Sequence, residues 1–131
     1  MTRLYLDAAP VVYLVQQVPP FATVVEGRIT ASGVVLVTGE LTRMECLIVP
    51  LRAGDQMLID AFEDFFANRI VSLVPLSRVV LDRAARIRAQ HRAIKTPDAL
   101  HLAAAIEAAC DVFLTNDHRL RNFTGITVEV I

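Results

Sequence analysis

Short apolar runs alternate with longer stretches of helical periodicity along the whole chain. Arg3-Leu4-Tyr5-Leu6 reads as a short buried strand that runs directly into Asp7-Ala8-Ala9-Pro10, where Pro10 suits the opening of a helix through Val11, Val12, Tyr13 and Leu14. Pro19-Pro20 breaks that helix, and Phe21 to Ala31 carries a second helical pattern ending at Ser32-Gly33. Val34-Val35-Leu36-Val37-Thr38 is continuously apolar up to its last residue and rich in β-branched residues, the mark of a parallel strand covered on both faces. Its tip is Thr38-Gly39.

The second half repeats the alternation. Glu40 to Val49 is predicted helical, and Asp55 to Phe66 places Met57, Leu58, Ala61, Phe62, Phe65 and Phe66 at mostly helical spacing, as core or as partner surface. Ile70 to Val74 is a third strand ended by Pro75, and Ser77 to Gln90 a long amphipathic helix. Thr96 is a good N-cap and Pro97 a good first residue for a helix running to Cys110, which puts Asp98 in its first turn. Ala99 to Ala109 is apolar or small almost throughout, so this helix should be buried on all sides. Asp111 to Thr115 is a fourth strand with Asn116-Asp117 at its tip, and Ile126 to Val130 a short fifth.

Strands alternating with helices argue for an α/β fold: an open, mostly parallel sheet of about five strands with helices on both faces, formed by residues 1–131 as a single domain. An apolar fraction of 54% fits such a covered sheet. No uncharged apolar run reaches the roughly 18–20 residues of a membrane span, and Arg3 and Asp7 interrupt any signal-peptide pattern, so the expected location is cytoplasmic, with no membrane partner. Cys46 and Cys110 form neither a CxxC nor a zinc pattern and are expected to be buried reduced thiols.

In parallel sheets ligands bind outside the carboxyl ends of the strands. That rule selects Asp7 and Asp117 at two strand tips, joined by Glu45 and Asp98 on helices that start from the same rim. Singly, each has an ordinary role: Asp7 as a helix cap, Glu45 as a solvated acid, Asp98 as a complement to the helix dipole, Asp117 as a turn former. Together they would repel one another and raise their own pKa values, which calls for a cation. Carboxylate oxygens suit the hard ions Mg2+ and Mn2+, and such a site suits phosphodiester hydrolysis. Asp7 and Asp98 are then the expected direct ligands, with Glu45 and Asp117 on metal-bound waters or a second ion, and Thr115 and Asn116 in support.

The stretches Tyr5-Leu6-Asp7-Ala8-Ala9-Pro10-Val11-Val12-Tyr13, Leu41-Thr42-Arg43-Met44-Glu45, Thr96-Pro97-Asp98-Ala99-Leu100-His101-Leu102-Ala103 and Phe113-Leu114-Thr115-Asn116-Asp117 resemble, in order and spacing, the PIN-domain ribonucleases of the VapC type. These are the toxin halves of bacterial toxin–antitoxin pairs. The resemblance implies a PIN-like three-layer sandwich, a Mg2+ or Mn2+ site made by Asp7, Glu45, Asp98 and Asp117, endonucleolytic RNA cleavage, a homodimer, and a VapB-type antitoxin that blocks the cleft. One position departs: many relatives carry Ser or Asn where this chain has Ala9, which removes a hydrogen bond near the metal shell.

Arg83, Arg86, Arg88, His91, Arg92 and Lys95 lead toward Asp98. Arg86, Arg88, Arg92 and Lys95 are candidates for contact with RNA phosphates, with a solvated helix face as the equal alternative; Arg43, Arg119 and Arg121 are weaker candidates. His101, one turn beyond Asp98, is expected to be packed or hydrogen-bonded rather than a ligand. Neither GxGxxG nor GxxxxGK[ST] occurs, and a receiver domain or an Asp-x-Asp phosphatase lacks its residues at Pro75-Leu76-Ser77 and Ala9. The remaining alternative is a non-catalytic PIN-like RNA-binding or protein-interaction module.

Overall fold

The computed structural model describes residues 1–131. Strand β1 (Thr2–Leu6) lies at the centre of a five-stranded sheet that also contains β2 (Val34–Gly39), β3 (Val71–Val74), β4 (Val112–Thr115) and β5 (Thr127–Val130). The order across the sheet is β3-β2-β1-β4-β5, and every neighbouring pair is parallel. The helices are α1 (Ala8–Gln16), α2 (Phe21–Ile29), α3 (Glu40–Ala53), α4 (Gln56–Ala67), α5 (Arg78–Gln90) and α6 (Thr96–Glu107), with a 3-10 turn at His118–Leu120.

Alternation along the strands sorts side chains into two cores. Leu4, Leu6, Leu36 and Leu114 face one cluster with Val11, Leu47, Phe62 and Phe66, under α1, α3 and α4. Tyr5, Val37 and Phe113 point the other way, into a cluster with Val80, Ala84, Ile87, Ala99, Leu102 and Ala103, under α5 and α6. The three layers expected from the sequence are therefore present. Tyr5 and Phe113 stack across β1 and β4 with centroids 5.3 Å apart and planes 8° from parallel. Alanine at 99, 103, 104 and 105 lets α6 sit close to its surroundings, and all four are buried.

Several element ends differ from the sequence reading. α1 starts at Ala8 rather than Pro10, because the Asp7 side chain accepts the Ala8 N–H and caps the helix. α3 continues through Pro50 to Ala53 and stops at Gly54, whose φ of +65° suits glycine. Thr96 is the first residue of α6 rather than its cap; the cap position belongs to Lys95, which offers no side-chain bond. The same helix ends at Glu107, not Cys110, since Ala109 takes a left-handed φ of 56°. Ile70 stays outside β3 and is 72% exposed, while Met57, also expected at an apolar face, is 87% exposed. The longest helix has 14 residues, too short and too polar to cross a membrane.

Candidate active site

Because all five strands run the same way, the tips of β1 and β4 lie side by side. The Asp7 N–H donates to the Leu114 carbonyl at 3.0 Å, which ties the two tips together by their backbones. Thr115 Oγ1 donates to Asp7 Oδ2 at 2.8 Å and accepts the Asp117 N–H at 3.0 Å, so one buried hydroxyl links both tip acids. The other Asp7 oxygen accepts the Ala8 N–H at 2.8 Å. Each oxygen of this carboxylate thus has a partner without any contribution from Ala9. Asn116 faces elsewhere: its Nδ2 donates to the Tyr13 hydroxyl at 2.8 Å.

Glu45 and Asp98 reach the same rim from α3 and α6. Two cationic or ionisable side chains lie among the four acids. His101, 2% exposed, brings Nε2 to 2.5 Å from Glu45 Oε1 and 3.6 Å from Asp7 Oδ1. Its Nδ1 lies 2.9 Å from the Tyr5 hydroxyl and 3.5 Å from Thr42 Oγ1. Arg119 grips Asp117 with its Nη2 at 2.6 Å and stands 3.9 Å from Asp98. Neither residue was assigned to the acids by sequence reasoning. His101 carries a signal, as a polar residue in an otherwise apolar helix one turn from Asp98; Arg119 is brought in by a 3-10 turn that no periodicity announces.

The titration of these groups follows from their surroundings. Burial pushes the Asp98 carboxyl above the usual carboxylate range, and the charges of Asp7 and Asp117 push the same way. Burial opposes charge on His101, but its hydrogen bond to Glu45 and the field of Asp7 outweigh that and raise its pKa. Hydrogen bonds from Arg119 hold Asp117 below the usual range despite some burial. Desolvation keeps the Tyr5 phenol protonated far above neutral pH.

In this conformation no three of these side chains converge on a common point at metal-ligand distance. The donor chemistry nevertheless fits a hard divalent cation: four carboxylates from four elements share one rim, and burial together with Asp7 and Asp117 disfavours the Asp98 anion despite Arg119 and His101 nearby. The basic segment is divided by the fold. Arg83 pairs with Glu107, and Arg88 donates to the Thr96 hydroxyl at 2.7 Å, whereas Arg86, Arg92 and Lys95 are exposed and make no ion pair.

A family model of the PIN domain matches residues 4–126. Among solved structures, the chain is similar to VapBC2 from Rickettsia felis bound to a DNA fragment from its promoter, with a TM-score of 0.79 and 15% identity over 98% of each chain. It is also similar to DNA-bound VapBC from Salmonella typhimurium, with a TM-score of 0.79 and 16% identity over 99% of this chain and 98% of that one. VapC20 from Mycobacterium tuberculosis, a toxin that cleaves the sarcin-ricin loop, follows with a TM-score of 0.70 and 15% identity over 95% and 98%. At such identities the likeness is one of fold. No curated protein matches the chain in sequence.

Proposed function

The chain belongs to the PIN-domain family, and from that membership we propose that it is a metal-dependent endoribonuclease, a hydrolase acting as the VapC-type toxin of a type II toxin–antitoxin pair. The observation that carries this reading is the arrangement of Asp7, Glu45, Asp98 and Asp117 at one rim, with Asp98 destabilised as an anion by burial and by Asp7 and Asp117. Asp7 and Asp98 are the direct ligands in this reading, and Glu45 and Asp117 hold the ion's waters or a second ion. A bound Mg2+ or Mn2+ supplies activation of the attacking water and stabilisation of the leaving oxygen. The protein's own work is orientation: Thr115 and the Ala8 N–H fix Asp7, and His101 fixes Glu45.

The partners follow from the same family. RNA is the substrate, a VapB-type antitoxin is the inhibitor, and two copies of the chain form a homodimer. Support comes from the likeness in fold to DNA-bound VapBC structures and to a toxin–antitoxin complex from Klebsiella pneumoniae. The test is cleavage of a labelled structured RNA pool by the purified protein with Mg2+ or Mn2+, with EDTA, and with the Asp7→Asn and Asp98→Asn variants. Metal-dependent cleavage absent from both variants supports the nuclease. RNA bound but left whole under every metal favours a non-catalytic PIN-like binding module. The observation on that second reading's side is Arg119, whose guanidinium already satisfies Asp117 and approaches Asp98.

A further inference from the structure

Beside the acids, between the turn that joins α5 to α6 and residues 119–123, lies a cavity of about 290 Å3. Its wall includes His91, Arg92, Arg119, Asn122 and Phe123, and no carboxylate lines it. It opens next to an acidic rim yet is itself basic. Arg119 belongs to both places, since the side chain that lines the cavity also reaches Asp117 and Asp98. Arg92 has no ion-pair partner anywhere in the chain, and the exposed Asn122 makes no side-chain hydrogen bond. Groups of this kind are left free for something that arrives from outside.

The aromatic part of the wall is held in position. The His91 and Phe123 rings meet edge to face, with centroids 5.3 Å apart and planes at 64°. A Cβ at Gly125 would come within 2.7 Å of Phe123 Cζ, so the edge of the ring packs against that glycine. The Phe123 N–H is bonded to the Leu120 carbonyl at 3.1 Å, which ties the ring's backbone to the 3-10 turn carrying Arg119.

The free guanidinium of Arg92, the one nitrogen of Arg119 (Nη1) that is not bonded to Asp117, an amide with free donor and acceptor, and a fixed ring in one small cavity match the parts of a single nucleotide. Arginine suits a phosphate, an aromatic ring suits the π-face of any base, and an amide suits a base edge or a 2′-hydroxyl. An acidic peptide would use the arginines alone and leave the ring without purpose. We propose that this cavity is a nucleotide subsite for single-stranded RNA beside the four acids, with Arg92 and Arg119 on the phosphate, Phe123 against the base and Asn122 on its polar edge. The inference rests on the ribonuclease reading for its substrate, but it concerns binding and can be tested without cleavage.

The experiment measures fluorescence anisotropy of a labelled RNA oligonucleotide with the full chain in EDTA, over a range of salt, for the parent, Arg92→Gln and Phe123→Leu. An abasic oligonucleotide of equal length serves as the second ligand. Arg92 is exposed, so its replacement leaves the fold intact, and thermal melting checks this for both variants. Arg92→Gln lowers the slope of log affinity against log salt by about 0.7 on both oligonucleotides, the value for one phosphate contact on a single strand. Phe123→Leu weakens binding of the normal RNA by roughly 5-fold or more and leaves the abasic one unchanged. Equal binding by all three proteins overturns the subsite. So does a loss confined to a labelled acidic peptide titrated in the same way as a third ligand, which would assign the cavity to a protein partner. A parallel cleavage assay with Mn2+ separates the two ideas: cleavage with unchanged binding sinks the subsite alone, and lost binding without any cleavage sinks the nuclease alone.

Discussion

The Tyr5 hydroxyl lies 2.9 Å from Nδ1 of His101, whose other nitrogen lies 2.5 Å from Glu45. A carboxylate only accepts hydrogen bonds, so Nε2 carries a hydrogen whether the ring is neutral or charged, and Nδ1 takes or gives the bond to Tyr5 accordingly. The phenol therefore fixes the imidazole and the imidazole fixes the acid. Removing such an outer partner typically costs 10- to 100-fold in metal affinity. His101→Leu is expected to weaken Mn2+ binding by about that factor, and His101→Gln, which restores a donor toward Glu45, to recover part of it. Calorimetric titration with Mn2+ reads both.

Asp98 should be a liability to the metal-free protein. Its folded pKa is raised, so the unfolded chain releases the proton more readily, and the cost appears as pH rises from the ordinary carboxyl range through the folded value. Below the ordinary carboxyl range both states are protonated and the cost vanishes. Asp98→Asn is expected to stabilise the protein in EDTA at pH 7, less the helix-dipole contribution of about 0.3–1 kcal/mol that the charge supplies, and to change nothing near pH 3. Urea unfolding at the two pH values measures the difference, and added Mn2+ should stabilise the parent but not the variant.

Gly39 is required by its neighbour rather than by its own backbone. A Cβ there would stand 2.5 Å from the Tyr5 hydroxyl oxygen. Gly39→Ala is expected to cost about 1–3 kcal/mol by overpacking and to displace the hydroxyl from His101. Gly27, exposed in α2 with nothing within 4 Å of an added Cβ, is the control. Gly27→Ala should stabilise by about 0.5–1 kcal/mol, and thermal melts distinguish the two signs.

Burial pushes the Cys46 thiol up to about 12, with Glu45 and Asp7 adding to the effect, and the Cys110 thiol up to about 11. The unfolded chain ionises its thiols near their ordinary value, so the stability held by Cys46 is fully present below about pH 9 and is lost as pH rises from there toward 12. Both thiols should react slowly with a disulfide reagent at pH 8, the buried Cys46 more slowly, and rapidly once denaturant is added. Timed labelling followed by mass analysis of each peptide is the measurement.

The strand runs were legible because a doubly covered parallel sheet writes its burial as unbroken β-branched sequence, as in Val34 to Thr38. The positions of Asp7 and Asp117 were legible by the same logic, since strand tips can be located once strands can. Helix ends were less so: Thr96 has good capping chemistry, but its hydroxyl is engaged by Arg88 and the helix takes it in as its first residue. The left-handed turn at Ala109 could not be read from an alanine. Nor could the fate of the arginines, because Arg83 is neutralised by Glu107 from a neighbouring helix while Arg92 lines a cavity with Arg119, which lies far along the chain. Local pattern determines what a segment becomes; which charges meet depends on how the segments pack.

The sheet order β3-β2-β1-β4-β5 means that the chain builds outward from β1 in one direction and returns to build outward in the other. Asp7 and Glu45 come from the first half of the chain and Asp98 and Asp117 from the second; α6 brings Asp98 in by packing on β2 and α3, and Asp117 joins where β4 lies beside β1. A fragment that stops before α6 therefore holds half of the constellation. Whatever chemistry the four acids perform needs every layer of the fold in place, so loosening any one strand or helix at the rim takes the constellation apart.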